Sequence, residues 1–334
     1  MENNMTMNIN TTSDAALSAE NKTFYDKALI EEATPNLIHD QFGQKRPIPK
    51  HGGRKIEFRK YASLPKALTP LTEGVTPDGK KLSVSTIEAE ANQYGDYVCL
   101  SDVLDLTAID NNALEATKVI GRQAGMTLDT ITRNVLQSGT NVYYCPPVAA
   151  DGTVGKQPED RSQLTKDCRL TVSVVKRVAS LMKAANAPKI NGSYVCILHP
   201  YAAYDLMNDP KWEQMHQYCK TEEMYEGEIG RIAGVRFVES SEAAVYTGTE
   251  NDCPDGLAVF GCLFMGEGAY GVTEVTGGGL QTIIKQLGSA GSSDPLNQRS
   301  TVGWKALKTA EILVEPYLYR VECCSAFSED AMGN

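Results

Sequence analysis

The sequence predicts an α+β protein, with helices kept apart from mostly antiparallel strands and no repeating βαβ pattern. Three observations predict this. Two strand-like runs flank a wide polar tip rich in Pro and Gly, between residues 54 and 91. One long amphipathic stripe follows, from Asn111 to Gln137. The C-terminal third is a series of β-branched runs broken by glycines, without helices between them.

Residues 1–17 are polar and read as an arm. Ser18 is a good N-cap, so a helix is expected through AENKTFYDKALIEEA until Pro35 forbids continuation. The segment PNLIHDQFGQKRPIPKHGG, with three prolines and three glycines, reads as extended. In RKIEFRKY, Ile56 and Phe58 fall on one face, and Lys55, Glu57 and Arg59 on the other. KLSVST repeats the alternation with Leu82 and Val84, after which the apolar phase passes to Ile87, Ala89 and Ala91. That slip predicts a β-bulge near Thr86.

SDVLDLTAI reads as a short capped helix. In the long one, Leu114, Ile120, Ala124, Leu128, Ile131 and Val135 fall on one stripe, over a length of roughly 40 Å. Ser138-Gly139 ends it. One apolar face implies a helix lying along a sheet.

Residues 140–167 are loop-rich. TVSVVKRVASLMKAAN is helical, with apolar positions at Val174, Val178, Leu181 and Ala185. SYVCILH is a strand, and Pro200 opens a short helix to Asn208 at a position where its missing N–H does no harm. EGEIGRIAGVRFVES leads from a glycine-rich loop into a strand. GLAVFGCLFMG and YGVTEV read as a strand pair, and GWKALKTAEILVEPYLYRVECCS as one or two long strands.

The 334 residues are enough for a sizeable core, with 42% hydrophobic and 22% charged residues. The formal charge is -10, which argues against a protein that grips nucleic acid, since phosphate binding needs clustered Lys and Arg. The charge is uneven. From Lys45 to Lys66, eight basic residues oppose only Glu57, so this segment is +7 and the remainder -17. The start of the chain has no signal-peptide pattern, and no segment has the length and hydropathy of a membrane span. Nine cysteines are scattered without a framework; Cys99, Cys196 and Cys262 sit among apolar neighbours and read as reduced, buried thiols. Cys323 and Cys324 read as the two faces of one strand.

One motif looks catalytic. Gly266, Gly268 and Gly271 in GEGAYG spell G-x-G-x-x-G, but VTEVTGGG follows, with no helix start to hold a phosphate. A hairpin between two strands explains the glycines better. His39, His51, His199 and His216 lack metal-ligand spacing, and no nucleophile elbow or C-x-x-C pair occurs. No catalytic, cofactor or metal residue is therefore assigned. Acidic residues cluster at Glu213, Glu222, Glu223, Glu226 and Glu228. The basic run reads as a solvated, edge-protecting face, as a phosphate contact, or as an arm resting on an acidic neighbouring copy, with a polar face too basic to pack on itself.

LIHDQFGQKRPIPKHGGRKIEFRKY, LTEGVTPDGKKL, QYGDYVCLSDVLDLTAID, TLDTITRNVL, IGRIAGVRFVESSEA and DPLNQRSTVGWKAL, in this order, resemble major capsid proteins of tailed bacteriophages, of the N4-like podovirus family. That family is similar to the Hong Kong 97-type capsid fold. The resemblance implies an N-terminal arm with a short helix (1–53) and an extended two-stranded loop (54–91). It further implies a peripheral domain (92–167) with a spine helix (111–137), an axial domain (168–276), and C-terminal strands returning to the peripheral domain (277–334).

The implied function is an icosahedral shell of hexamers and pentamers around double-stranded DNA, held without sequence-specific binding. A portal and a separate scaffolding or decoration protein are the implied partners, with assembly in the bacterial cytoplasm. The expected subunit interface comprises Lys55, Arg59 and Lys60 on the loop strand and Leu71, Glu73, Pro77 and Asp78 at its tip. The receiving surface is expected in the acidic stretch, with Glu222 and Glu226. No residue matches the Lys–Asn crosslink of some relatives. Two alternatives stay open: a cellular nanocompartment shell of the same fold, and a nucleotide-dependent enzyme using GEGAYG.

Overall fold

The computed structural model describes residues 29–30, 32–33, 37–47, 55–61, 64–71, 73–74, 76, 78–107, 112–149, 152–212, 230–274, 280–289, 295–329 and 331–334. The expected helix from Ser18 therefore lies largely outside the described residues; its described positions 29, 30, 32 and 33 are helical. The chain is α+β and divides into two compact units.

One unit comprises residues 1–41, 93–130 and 274–308. Its sheet has the order β12-β13-β4, from β4 (Asn92–Ser101), β12 (Leu280–Lys285) and β13 (Arg299–Lys308). Leu280 pairs with Ala306 and Lys285 with Thr301 in antiparallel register. Alternation sets the faces. Leu280, Thr282, Val302, Trp304 and Ala306 are buried, while Ile283, Tyr97 and Cys99 point outward and are exposed. Ser101 caps α1 (Asp102–Thr107), its Oγ accepting from Leu104 N at 3.2 Å, as the capped-helix reading expects.

The long helix is α2 (Asn112–Gln137), continuous across its whole length. Its buried face differs from the expected stripe. Ile120, Ala124 and Leu128 are buried, but the next position inside is Leu136; Ile131 and Val135 are only half-buried. Thr117, Asp129, Thr132, Arg133 and Gln137 share the buried face. Polar partners displace the seam by a residue. Within this first unit, Gln123 bridges helix and sheet, donating to Asp96 Oδ2 at 2.7 Å and accepting from Trp304 Nε1 at 3.4 Å. Asp129 takes both the His39 backbone N–H and its ring Nδ1 at 2.7 Å, with both residues fully buried. Buried Lys308 pairs with Asp40. Gly121 lets the Leu29 segment cross closely, since a Cβ there would lie 3.0 Å from the Leu29 carbonyl oxygen.

The other unit comprises residues 42–92, 131–273 and 309–334. Its main sheet runs β5-β15-β10-β6-β8-β7, with β9 also on β10. The strands are β5 (Val142–Tyr144), β6 (Tyr194–Leu198), β7 (Arg231–Ile232), β8 (Val235–Glu239), β9 (Val245–Tyr246), β10 (Val259–Met265) and β15 (Leu318–Cys323). β6 and β10 are buried at every residue, which is why YVCIL and VFGCLFM read as unbroken apolar runs. They pack with α3 (Val172–Ala184) and α4 (Pro200–Met207). Pro200 takes the first helical turn as expected, and His199 Nδ1 caps the helix, accepting from Tyr201 N at 3.2 Å. On α3, Met182 is buried where the sequence pattern favours Leu181; Leu181 faces outward.

A second sheet, β1-β11-β14, joins β1 (Gln44–Arg46), β11 (Tyr270–Thr273) and β14 (Ala310–Ile312). The expected pairing of GLAVFGCLFMG with YGVTEV does not occur. β10 pairs with β15, β6 and β9, and β11 with β1 and β14. The C-terminal run is three strands, β13, β14 and β15, broken at Thr309 and around Pro316. Eight of the nine cysteines are described and free, and seven are buried; Cys99, expected inside, is exposed on β4. Burial pushes the Cys145 and Cys196 thiols up in pKa.

Candidate assembly surfaces

The hairpin joins β2 (Lys55–Tyr61) to β3 (Val84–Glu90) in seven consecutive antiparallel pairs, from Lys55↔Glu90 to Tyr61↔Val84. No bulge interrupts it; Thr86 pairs with Arg59 in register. Ile56, Phe58, Ala89 and Ala91 form a small core with Ile87 and Leu313. Leu82 and Val84 do not continue that face and are exposed. The apparent phase slip is thus a change of surroundings and not of register: toward the tip, no core among the described residues takes up the apolar side chains.

What fixes the base is a close approach. A Cβ on Gly271 would lie 2.3 Å from the Phe58 ring, so only glycine lets β11 seat it. Gly266 similarly makes room for the Pro188 carbonyl, and Gly268 has φ +71°. These contacts account for all three glycines of GEGAYG. The described chain behind them runs into β11, not into a helix. Gly271→Val is expected to destabilise the subunit by about 1–3 kcal/mol through overpacking. The cost should fall in a Phe58→Ala background, and equal costs in both backgrounds by denaturant unfolding would refute the contact. Dinucleotide titrated into the protein by calorimetry should give no heat above dilution; saturable micromolar binding would revive the nucleotide reading.

The charges of the hairpin are balanced within it. Lys55 Nζ meets Glu88 Oε2 at 2.7 Å, and Arg59 lies 3.7 Å from Glu57. The Lys55–Glu88 hydrogen bond holds the Lys55 pKa up and the Glu88 pKa down. Residues 55–90 carry six basic and five acidic side chains, hence +1. The expectation of a face too basic to pack on itself is corrected: β3 supplies the acids. The tip is instead apolar in its exposure, with Leu64, Leu68, Leu71, Leu82 and Val84 all exposed, Leu68 by 83% and Leu71 by 78%. Lys80 Nζ ties the two sides of the tip by donating to the Pro65 carbonyl at 3.1 Å. Leu71, Glu73 and Asp78 are exposed there. Pro77 and the acidic stretch with Glu213, Glu222, Glu223, Glu226 and Glu228 lie outside the described residues, as do His51 and His216.

Sequence reasoning missed one buried charge cluster in the larger sheet. Arg161 grips Glu322 with two bonds of 2.7 Å, and Arg320 Nε lies 2.9 Å from the same carboxylate, which is fully buried. The Arg161 guanidinium also stacks on Tyr246, 3.9 Å from the ring centre. Among the described residues, no group of three or more His, Cys, Asp or Glu is placed to hold a metal ion, and no helix is long and apolar enough to cross a membrane.

A shell-protein fold is what this architecture matches among solved structures. The capsid of cyanophage P-SCSP1u superposes with a TM-score of 0.61 at 13% identity, over 85% of this chain and 87% of that one. The capsid of Ralstonia phage GP4 gives 0.59 at 15%, over 85% and 86%. A virus-like particle from Pyrococcus furiosus gives 0.51 at 8%, over 90% and 99%. A search of curated proteins found no match. The model of the family described as "Phage capsid protein" matches residues 98–287, more than half of the sequence. The chain belongs to the phage capsid protein family, and it is a shell-forming structural protein.

Proposed function

We propose that this chain is the major subunit of an icosahedral capsid enclosing the double-stranded DNA of a tailed phage, of the N4-like, Hong Kong 97-type lineage. It would assemble from hexamers and pentamers in the bacterial cytoplasm, with a portal and a separate scaffolding or decoration protein as partners. In this reading, residues 1–53 are the arm, 54–91 the extended loop, 92–167 the peripheral domain, 168–276 the axial domain, and 277–334 the strands that return.

One observation carries the reading: a seven-pair hairpin anchored at its base through Phe58 and ending in exposed leucines. A two-stranded hairpin alone is marginal in water, and soluble monomers rarely leave such apolar clusters bare. A neighbouring copy that covers the tip resolves both problems. The exposed positions of Leu71, Glu73 and Asp78 support interface roles for them; the role given to Pro77 rests on the sequence resemblance alone. Lys55, Arg59 and Lys60 would contribute through rim charges, each exposed pair adding about 1 kcal/mol or less and weakening with salt. The acidic balance suits a container that must not hold its genome tightly at every subunit.

The likeness to the Pyrococcus furiosus particle favours one second reading, a cellular compartment shell without a genome. Nucleic-acid density inside particles from the native source separates the two. Packed DNA is expected; particles filled with protein cargo would overturn the phage reading.

A further inference from the structure

The outward face of α3 concentrates positive charge in an acidic chain. Residues 166–189 carry six basic side chains, Lys166, Arg169, Lys176, Arg177, Lys183 and Lys189, against the single acid Asp167. That segment is therefore +5, and with a total of -10 the remainder is -15. On α3 itself, the valines, Ala179 and Met182 are buried against the sheet, so the cations are left outside. With about 3.6 residues per turn, Lys176 and Lys183 form one rail of the exposed face and Arg177 stands on the other. Ser173, Ser180 and Ala184 make a floor of small side chains between them. Among the described residues, none of these three cations forms an ion pair; Arg177 is held over the Tyr143 ring, 5.6 Å from its centre.

We propose that this face of α3 contacts the sugar–phosphate backbone of duplex DNA, without regard to sequence. The claim rests on the shell reading above, and it names a surface by which an acidic container touches its contents. Phosphates are met by Lys and Arg side chains, which position a duplex but read no bases. One DNA strand carries a charge about every 3.4 Å of axis. Lys176 and Lys183 stand about 10 Å apart along the helix, so the face spans about three phosphates. A protein partner would call for an apolar anchor at the centre, because the cores of protein interfaces are depleted in charge. Here the centre is Ser180 and Ala184, and Leu181 lies at the edge. Acids lie only near the ends of the helix. Asp209 accepts from Val172 N at 2.9 Å, and Glu267 N donates to the Pro188 carbonyl at 3.0 Å. They confine the contact to the three cations between, so it is weak, as suits a shell that holds its genome loosely.

The test is fluorescence anisotropy of short fluorescein-labelled duplexes, in two unrelated sequences, titrated with the recombinant subunit below its assembly concentration. Both sequences should bind equally. Three phosphate contacts give a log–log salt slope of about -2.7, so affinity should fall roughly 40-fold between about 50 and 200 mM salt. Lys176→Gln with Lys183→Gln should bring the slope to about -0.9 and weaken binding at the lower salt by about tenfold or more. Gln is nearly as good a helix former as Lys, and circular dichroism checks that the variant is folded. Lys156→Gln, which removes an exposed cation already paired with Glu159, should change nothing. A folded subunit that binds no duplex at the lower salt, or whose slope is the same in the double variant, would overturn this inference; if it still forms shells, the shell reading stands. A polyglutamate peptide that binds this face more tightly than the duplex would also overturn it, in favour of an acidic protein partner. Subunits that never assemble would overturn the shell reading, whatever they do with DNA.

Discussion

Leu128→Asp is expected to yield no folded subunit. Leu128 is fully buried in the middle of α2, on the face that also buries Ile120 and Ala124. Removing a buried leucine alone costs about 2–5 kcal/mol. The introduced carboxylate adds the cost of burying a charge without a partner. The sum reaches the whole stability of a typical domain, about 5–15 kcal/mol. Ile131→Asp, three residues on, should cost much less, since Ile131 is half-buried. Leu128→Met should cost under about 1.5 kcal/mol. Circular dichroism with urea unfolding reads all three. Equal tolerance of aspartate at 128 and 131 would show that the buried face is misplaced.

Glu322→Ala should be the second most damaging change. The carboxylate is fully buried and is shared by Arg161 and Arg320, whose side chains are only 16% and 15% exposed. Its removal leaves two largely buried guanidinium groups facing each other across a void. Breaking a buried pair in this way costs about 3–5 kcal/mol. Replacing Glu322 and both arginines by apolar residues of similar volume should recover much of that loss, because the cluster gives little net stability over a well-packed apolar substitute. A Glu322→Ala subunit with a wild-type urea midpoint would show that water reaches this cluster freely.

The elements with local causes were legible in the sequence. Ser101 and Pro200 mark helix starts through caps and fixed φ, and the period of α2 marks its extent, with the buried face as expected at Ile120, Ala124 and Leu128 but not at Ile131 and Val135. The hairpin was legible in position, and its tip in composition. Other features depend on partners far along the chain. Asp129 meets His39 across 90 residues and Lys308 meets Asp40 across 268, so no local pattern announces them. Their only trace was a run of polar residues at the edge of the α2 stripe, which reads equally well as a solvated flank. Adjacent strands such as β10 and β11 invite a hairpin reading, yet sheet membership is decided by which edges their neighbours leave open. Leu82 and Val84 mislead for a related reason. Periodicity implies burial within one chain, whereas these side chains face outward, where a second copy is proposed to meet them. Cys99 faces outward on β4 in the same way.

Electron microscopy of the purified, recombinant chain tests the central claim most directly. The account predicts closed shells of uniform diameter, or rings of five and six subunits that close when a scaffold is added. A folded protein that sediments as a monomer at every concentration and salt condition, with or without a scaffold, would contradict it.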